Sequence, residues 1–147
     1  MNYVLRAGLA ATLAISGISH AYLYIHGYQH IPTIGAAFVA QAGTSFALAV
    51  LILAGGPGWL RWAGALVAGG AVVAFALSRT VGLFGFSERG WHPSPHAAIS
   101  VAAELLTVGL WLGWVVMTHQ PLRRRNRKVT LRRRLANPGA NEKPSVR

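Results

Sequence analysis

Four long apolar stretches, parted by glycine- and proline-rich breaks, constrain this chain more than any other feature. They run at about 4–26 (VLRAGLAATLAISGISHAYLYIH), 33–54 (TIGAAFVAQAGTSFALAVLILA), 60–84 (LRWAGALVAGGAVVAFALSRTVGLF) and 96–118 (HAAISVAAELLTVGLWLGWVVMT). A helix needs ~20 apolar residues to cross a hydrocarbon core of ~30 Å. Inside lipid the backbone must satisfy its own hydrogen bonds, so these stretches read as transmembrane helices. Gly27 and Pro32 bracket the first break, Gly55, Gly56, Pro57 and Gly58 make the second, and Gly90, Pro93 and Pro95 interrupt the third. Such short connections make consecutive helices antiparallel neighbours. The expected fold is all-α. It is a four-transmembrane-helix antiparallel bundle over 1–118, followed by a basic, largely disordered cytoplasmic tail over 119–147.

Composition agrees. Charged residues are 12% of the chain and hydrophobic ones 53%, whereas soluble domains carry about 25% charged residues. With no cysteine, disulfides, iron–sulfur clusters, thiolate zinc sites and cysteine nucleophiles are excluded. No phosphate-binding loop, HExxH or Ser/His/Asp arrangement is present, so nothing favours an ordinary hydrolase.

The net charge of +11 is uneven, because ten of the fourteen Lys and Arg residues follow His119. Arg6, Arg61 and the tail mark one side of a four-span protein, and only Arg89 marks the other. The positive-inside rule then predicts a plasma-membrane protein with both termini cytoplasmic. A rival reading takes the first segment as a signal peptide, cleaved near Ser19-His20-Ala21. In the tail, Arg123, Arg124, Arg125, Arg127, Lys128, Arg132, Arg133 and Arg134 suit anionic lipid heads, at ~1 kcal/mol each. The same charges also serve as a plain topology signal. Without aromatic interleaving, no nucleic-acid partner is expected.

Away from its ends, each apolar segment holds one strong polar group: His20, Gln41, Arg79 and Glu104. At 1.5 Å per residue they lie roughly 9, 12, 7 and 12 Å from the outer helix ends. All four fall in one half of the membrane and form the predicted intramembrane polar cluster. Their faces agree: Gly8, Thr12, Ser16 and His20 recur every four residues, and Ser100, Glu104, Thr107 and Trp111 line the fourth segment. Small and polar residues of this kind make membrane helix interfaces. A charge in hydrocarbon is costly unless it is paired or reaches water, and the shared depth predicts an Arg79–Glu104 pair. The stretches PTIGAAFVAQ and PHAAISVAAE place Gln41 and Glu104 alike, nine positions after a proline. This suggests two related hairpins.

Outside the membrane, His26, His30, His92, His96 and Glu88 offer nitrogen and oxygen ligands suited to zinc or copper. Bis-histidine b-type haem would need His20 and a reach from His96. The competing reading is an interfacial polar rim beside an aromatic belt.

Ser78, Arg79, Thr80, Gly82 and Leu83 in SRTVGLFGF, with IPTIG at 31–35 and Gln41, resemble a pattern in small four-helix membrane proteins of actinobacteria. The likeness spans roughly residues 15–110. It implies four helices and no particular activity.

The leading functional expectation is a non-enzymatic accessory or scaffold subunit of a larger membrane complex or homo-oligomer. The second is a protein binding metal (zinc or copper), haem b or quinone through the histidines and Arg79/Glu104. The third is a small proton-coupled transporter.

Overall fold

The computed structural model describes the backbone from Tyr3 to Ala136 and the side chains as far as Thr118. The chain divides into two units, Met1–Leu112 and Gly113–Arg147, and the second begins within the last helix.

Helix α1 spans Tyr3–Leu23 and is continued by a π-type turn at Tyr24–Tyr28. Helix α2 spans Ile34–Leu53, α3 Trp59–Arg79 and α4 His96–Ala136. Among the described residues there is no strand, only an isolated bridge between Leu83 and Phe86. Four stretches are long and apolar enough to cross a membrane: Tyr3–Tyr28, Ile34–Leu53, Trp59–Arg79 and His96–Thr118. They make the chain a multi-pass membrane protein.

Two boundaries differ from those expected. Helix α3 ends at Arg79 and not near 84. There the Gly82 N–H turns back to the Leu77 carbonyl at 2.8 Å, and Gly82 takes φ 84°, a left-handed conformation that suits glycine. The chain then forms a tight turn. Leu83 and Phe86 exchange backbone hydrogen bonds of 2.7 and 2.8 Å, and Phe84 and Gly85 both have positive φ, as a type I′ turn requires. Apolar residues continue through this turn, which is why hydropathy alone extended the helix. Helix α4 instead runs past 118 to Ala136, because the Arg, Lys and Leu residues beyond the apolar run are good helix formers. Residues 137–147, which include the Pro- and Asn-rich end of the expected tail, lie outside the described residues.

Neighbouring helices run in opposite directions. On α1 and α2, Arg6 bonds the carbonyls of Ile52 and Leu53, and Gly17 faces Phe46. On α3 and α4, Trp62 meets Trp111 edge-on and Gly69 faces Val108. The Arg6 guanidinium thus adds donors to the carbonyls at the end of α2. The apolar core lies toward that end: Leu9, Leu13, Leu48, Ala49, Ile52 and Leu60. At Gly17 a Cβ would sit 3.2 Å from the Phe46 ring, so the absent side chain lets the helices close. Val4, Ile18, Val50 and Val73 stay exposed, as lipid-facing side chains do.

The α1–α4 seam is polar. Thr12 Oγ1 and Thr107 Oγ1 lie 2.8 Å apart, and Ser16 and Ser100 both approach Glu104. The stripe recurring every four residues on α1 therefore faces the Ser100, Glu104 and Thr107 stripe of α4. Toward its C-terminal end α3 presents the small residues Gly70, Ala71 and Ala74 beside Phe75 and Arg79, and room opens there.

Candidate functional site

That room is a cavity of about 370 Å³, lined from all four helices and from the 80–95 connection. His20, Gln41, Arg79 and Glu104 all line it. Most of its remaining wall is apolar, including Phe38, Leu66, Val67, Ala71, Phe75 and Val101. A concave, mostly apolar site of ~300–1,000 Å³ with a few convergent polar groups is the usual form of a small-molecule pocket.

Glu104 is 1% exposed. Its Oε1 accepts from the hydroxyls of Ser100 at 2.8 Å and Ser16 at 3.0 Å. The His20 ring stands behind these serines. Its Nδ1 lies 3.0 Å from the Ser16 carbonyl and 3.8 Å from Glu104 Oε1. The nearer contact makes Nδ1–H a donor to that carbonyl, so in the neutral ring Nε2 is an acceptor. Phe38 holds the other side of the ring at 5.1 Å between centroids.

Arg79 does not pair with Glu104. It forms an ion pair with Glu88 and donates to the His92 carbonyl, and its guanidinium carbon lies 4.6 Å from the Phe75 ring centre. Because α3 ends at Arg79, the side chain sits at the cavity mouth among loop residues rather than at the depth of Glu104. Glu88 is brought there by its own N–H, which donates to the Ser78 carbonyl at 3.0 Å. The Tyr28 hydroxyl also donates to Glu88, and the Tyr28 ring stacks on Phe38 at 4.6 Å. Residues 80–95 thereby form a strap, fastened to the end of α3 and to the turn after α1.

Gln41 is the outlier. It makes no hydrogen bond from either end of its amide, and its Nε2 is buried without a partner. The Arg79 Nε is buried and unpartnered as well. Gln41 and Glu104, placed alike by the sequence, thus share one cavity, but their flanks differ. Ala103 and Thr107 are buried, whereas Ala40 and Thr44 are exposed, so the resemblance of the two hairpins stops at the polar residue itself.

The five expected metal ligands do not assemble. Among the described residues, no three or more His, Asp or Glu side chains come close enough to hold a metal ion. The Tyr22 ring is stacked between His26 and His96, with centroid separations of 3.9 and 3.8 Å. Glu88 is taken by Arg79 and Tyr28, His92 contributes its backbone carbonyl, and His30 is exposed. Stacking on Tyr22 fixes two of the rings, and the ion pair with Arg79 takes the one carboxylate of the set. Of the two histidines considered for haem, His20 lines the cavity and His96 stacks on Tyr22. The side chains of Arg123, Arg124, Arg125, Arg127, Lys128, Arg132, Arg133 and Arg134 lie outside the described residues.

Sequence reasoning missed Glu88 as the partner of Arg79, and Tyr28 and Phe38 as cavity walls. A signal existed for Glu88. The chain has only three acidic residues, and Glu88 lies nine positions from Arg79, within one connection. No protein-family model, curated protein or solved structure matches the chain.

Proposed function

We propose that this chain is a plasma-membrane protein that holds a small lipid-soluble molecule in the cavity between its four helices. The observation that carries this reading is the meeting of His20, Gln41, Arg79 and Glu104, one from each helix, at a single cavity with mainly apolar walls. A bundle packed only for register would leave no buried donor unpaired there, as Gln41 Nε2 and Arg79 Nε are. The function is binding, without a chemical step. Both termini are cytoplasmic, which puts the cavity in the outer half of the membrane and the basic run at 123–134 beside anionic lipid heads.

The test is to purify the protein in mild detergent, extract it and measure small molecules per chain by mass spectrometry. The expected result is near-stoichiometric recovery of one species, lost in Ala71→Phe, which fills the cavity. An extract with nothing stoichiometric favours the accessory-subunit reading, and co-purifying proteins would then be sought.

A further inference from the structure

The hydrogen-bonding capacity left open at the cavity specifies the head of its ligand. This inference rests on the binding reading above and deepens it. Glu88 is satisfied by Arg79 and Tyr28, Ser78 donates to the Phe75 carbonyl, and Ser16 and Ser100 donate to Glu104. Two buried polar atoms of the cavity residues are left without a partner, and both are donors: Gln41 Nε2 and Arg79 Nε. A buried donor left unmade is unfavourable, and a hydrocarbon tail cannot relieve it. The ligand must therefore present acceptors.

Charge narrows the class further. The Arg79 cation is already matched by Glu88, and Glu104 lines the same space. An anionic head would meet one carboxylate that is spoken for and another with no cationic partner. A neutral acceptor is favoured. Phe38 and Phe75 add aromatic carbon to the wall, which suits a ring-bearing head. We infer that the cavity takes the neutral, carbonyl-bearing ring of a lipid-soluble quinone, with Gln41 donating a hydrogen bond to one carbonyl.

The experiment uses the full chain in phosphatidylcholine nanodiscs, with a radiolabelled decyl-substituted benzoquinone as probe and empty nanodiscs to subtract partitioning. The expected result is one saturable site per chain. Gln41→Leu weakens it about 10-fold, as loss of one well-placed hydrogen bond does, and neither decylbenzene nor decanoate displaces the probe. Gln41→Met, of similar length and without a donor, replaces Gln41→Leu if that variant loses its fold. If decylbenzene displaces the probe and Gln41→Leu binds normally, the quinone inference falls. The pocket reading survives in that case, provided Ala71→Phe abolishes binding. Stronger displacement by decanoate overturns the neutral head. Saturable binding that persists in Ala71→Phe removes both readings. No saturable quinone binding by the unmodified chain overturns the inference.

Discussion

Ser16 and Glu104, 88 residues apart in the chain, are joined by a 3.0 Å hydrogen bond across the α1–α4 seam. Ser100 supplies the second donor to the same carboxylate oxygen, from one turn away on α4. The seam thereby carries a buried carboxylate held by two hydroxyls and no cation among its hydrogen-bond donors.

Removing one hydroxyl should cost measurable stability. Ser16→Ala and Ser100→Ala are each expected to destabilise the protein by about 1–3 kcal/mol. The double variant should lose more than the sum, because the first loss leaves one donor and the second leaves none. Glu104→Gln keeps an acceptor for both serines and should be milder than Glu104→Ala. Reversible unfolding in mixed micelles checks all four; simple additivity of the serine variants would mean that the hydroxyls do not share one acceptor.

The charged pair at the mouth calls for a comparison of two cycles. Arg79→Ala and Glu88→Ala should show a coupling of about 1.5–3 kcal/mol, typical of a charge-assisted hydrogen bond. Arg79→Ala and Glu104→Ala should show a smaller coupling than that, because no hydrogen bond or ion pair joins them and only the cavity is shared. Coupling of Arg79 to Glu104 instead of Glu88 would restore the pairing expected from depth.

Where the sequence was legible, one periodicity carried the information. Apolar length located the helices, and the four-residue recurrence of Gly8, Thr12, Ser16 and His20 marked the face that meets Glu104. Partners were harder to read where they depended on a boundary. Val81, Leu83, Phe84 and Phe86 are apolar enough to look like the end of α3, but Gly82 and Gly85 turn the chain there. Moving the helix end from 84 to Arg79 lifts the arginine out of the bundle and gives it Glu88. The histidines illustrate a second limit. His26 and His96 are far apart in sequence, and their stacking on Tyr22 depends on how α1 and α4 are set against each other. Spacing alone could not tell a stack from a ligand set.

Two glycines of α2 should respond oppositely to alanine. At Gly35 a Cβ would lie 2.7 Å from the Tyr28 carbonyl oxygen, a backbone atom. Gly35→Ala must push the turn that holds Tyr28 against Phe38, at an expected cost of about 1–3 kcal/mol. At Gly43 no atom lies within 4 Å of such a Cβ. Gly43→Ala should stabilise by up to about 1 kcal/mol through helix propensity. Thermal unfolding in one detergent compares the two, and equal shifts would show that Gly35 is not closely packed against the Tyr28 backbone.

The orientation proposed for the membrane can be tested cleanly because the chain has no cysteine of its own. Arg6 is held at the end of α2 through the Ile52 and Leu53 carbonyls, and Arg61 lies in the first turn of α3, so both belong to the end opposite the cavity. The cavity end carries Arg79 and Arg89, so the two ends balance at two arginines each before the tail, and the orientation rests on the ten Lys and Arg residues after His119, which the positive-inside rule assigns to the cytoplasm together with Arg6 and Arg61. Ala54 and Ser87 are exposed residues in the connections at the two ends. In intact cells a membrane-impermeant thiol reagent should label Ser87→Cys and spare Ala54→Cys until the membrane is opened. The reverse pattern would place the cavity in the inner half, where any ligand would enter from the cytoplasmic leaflet.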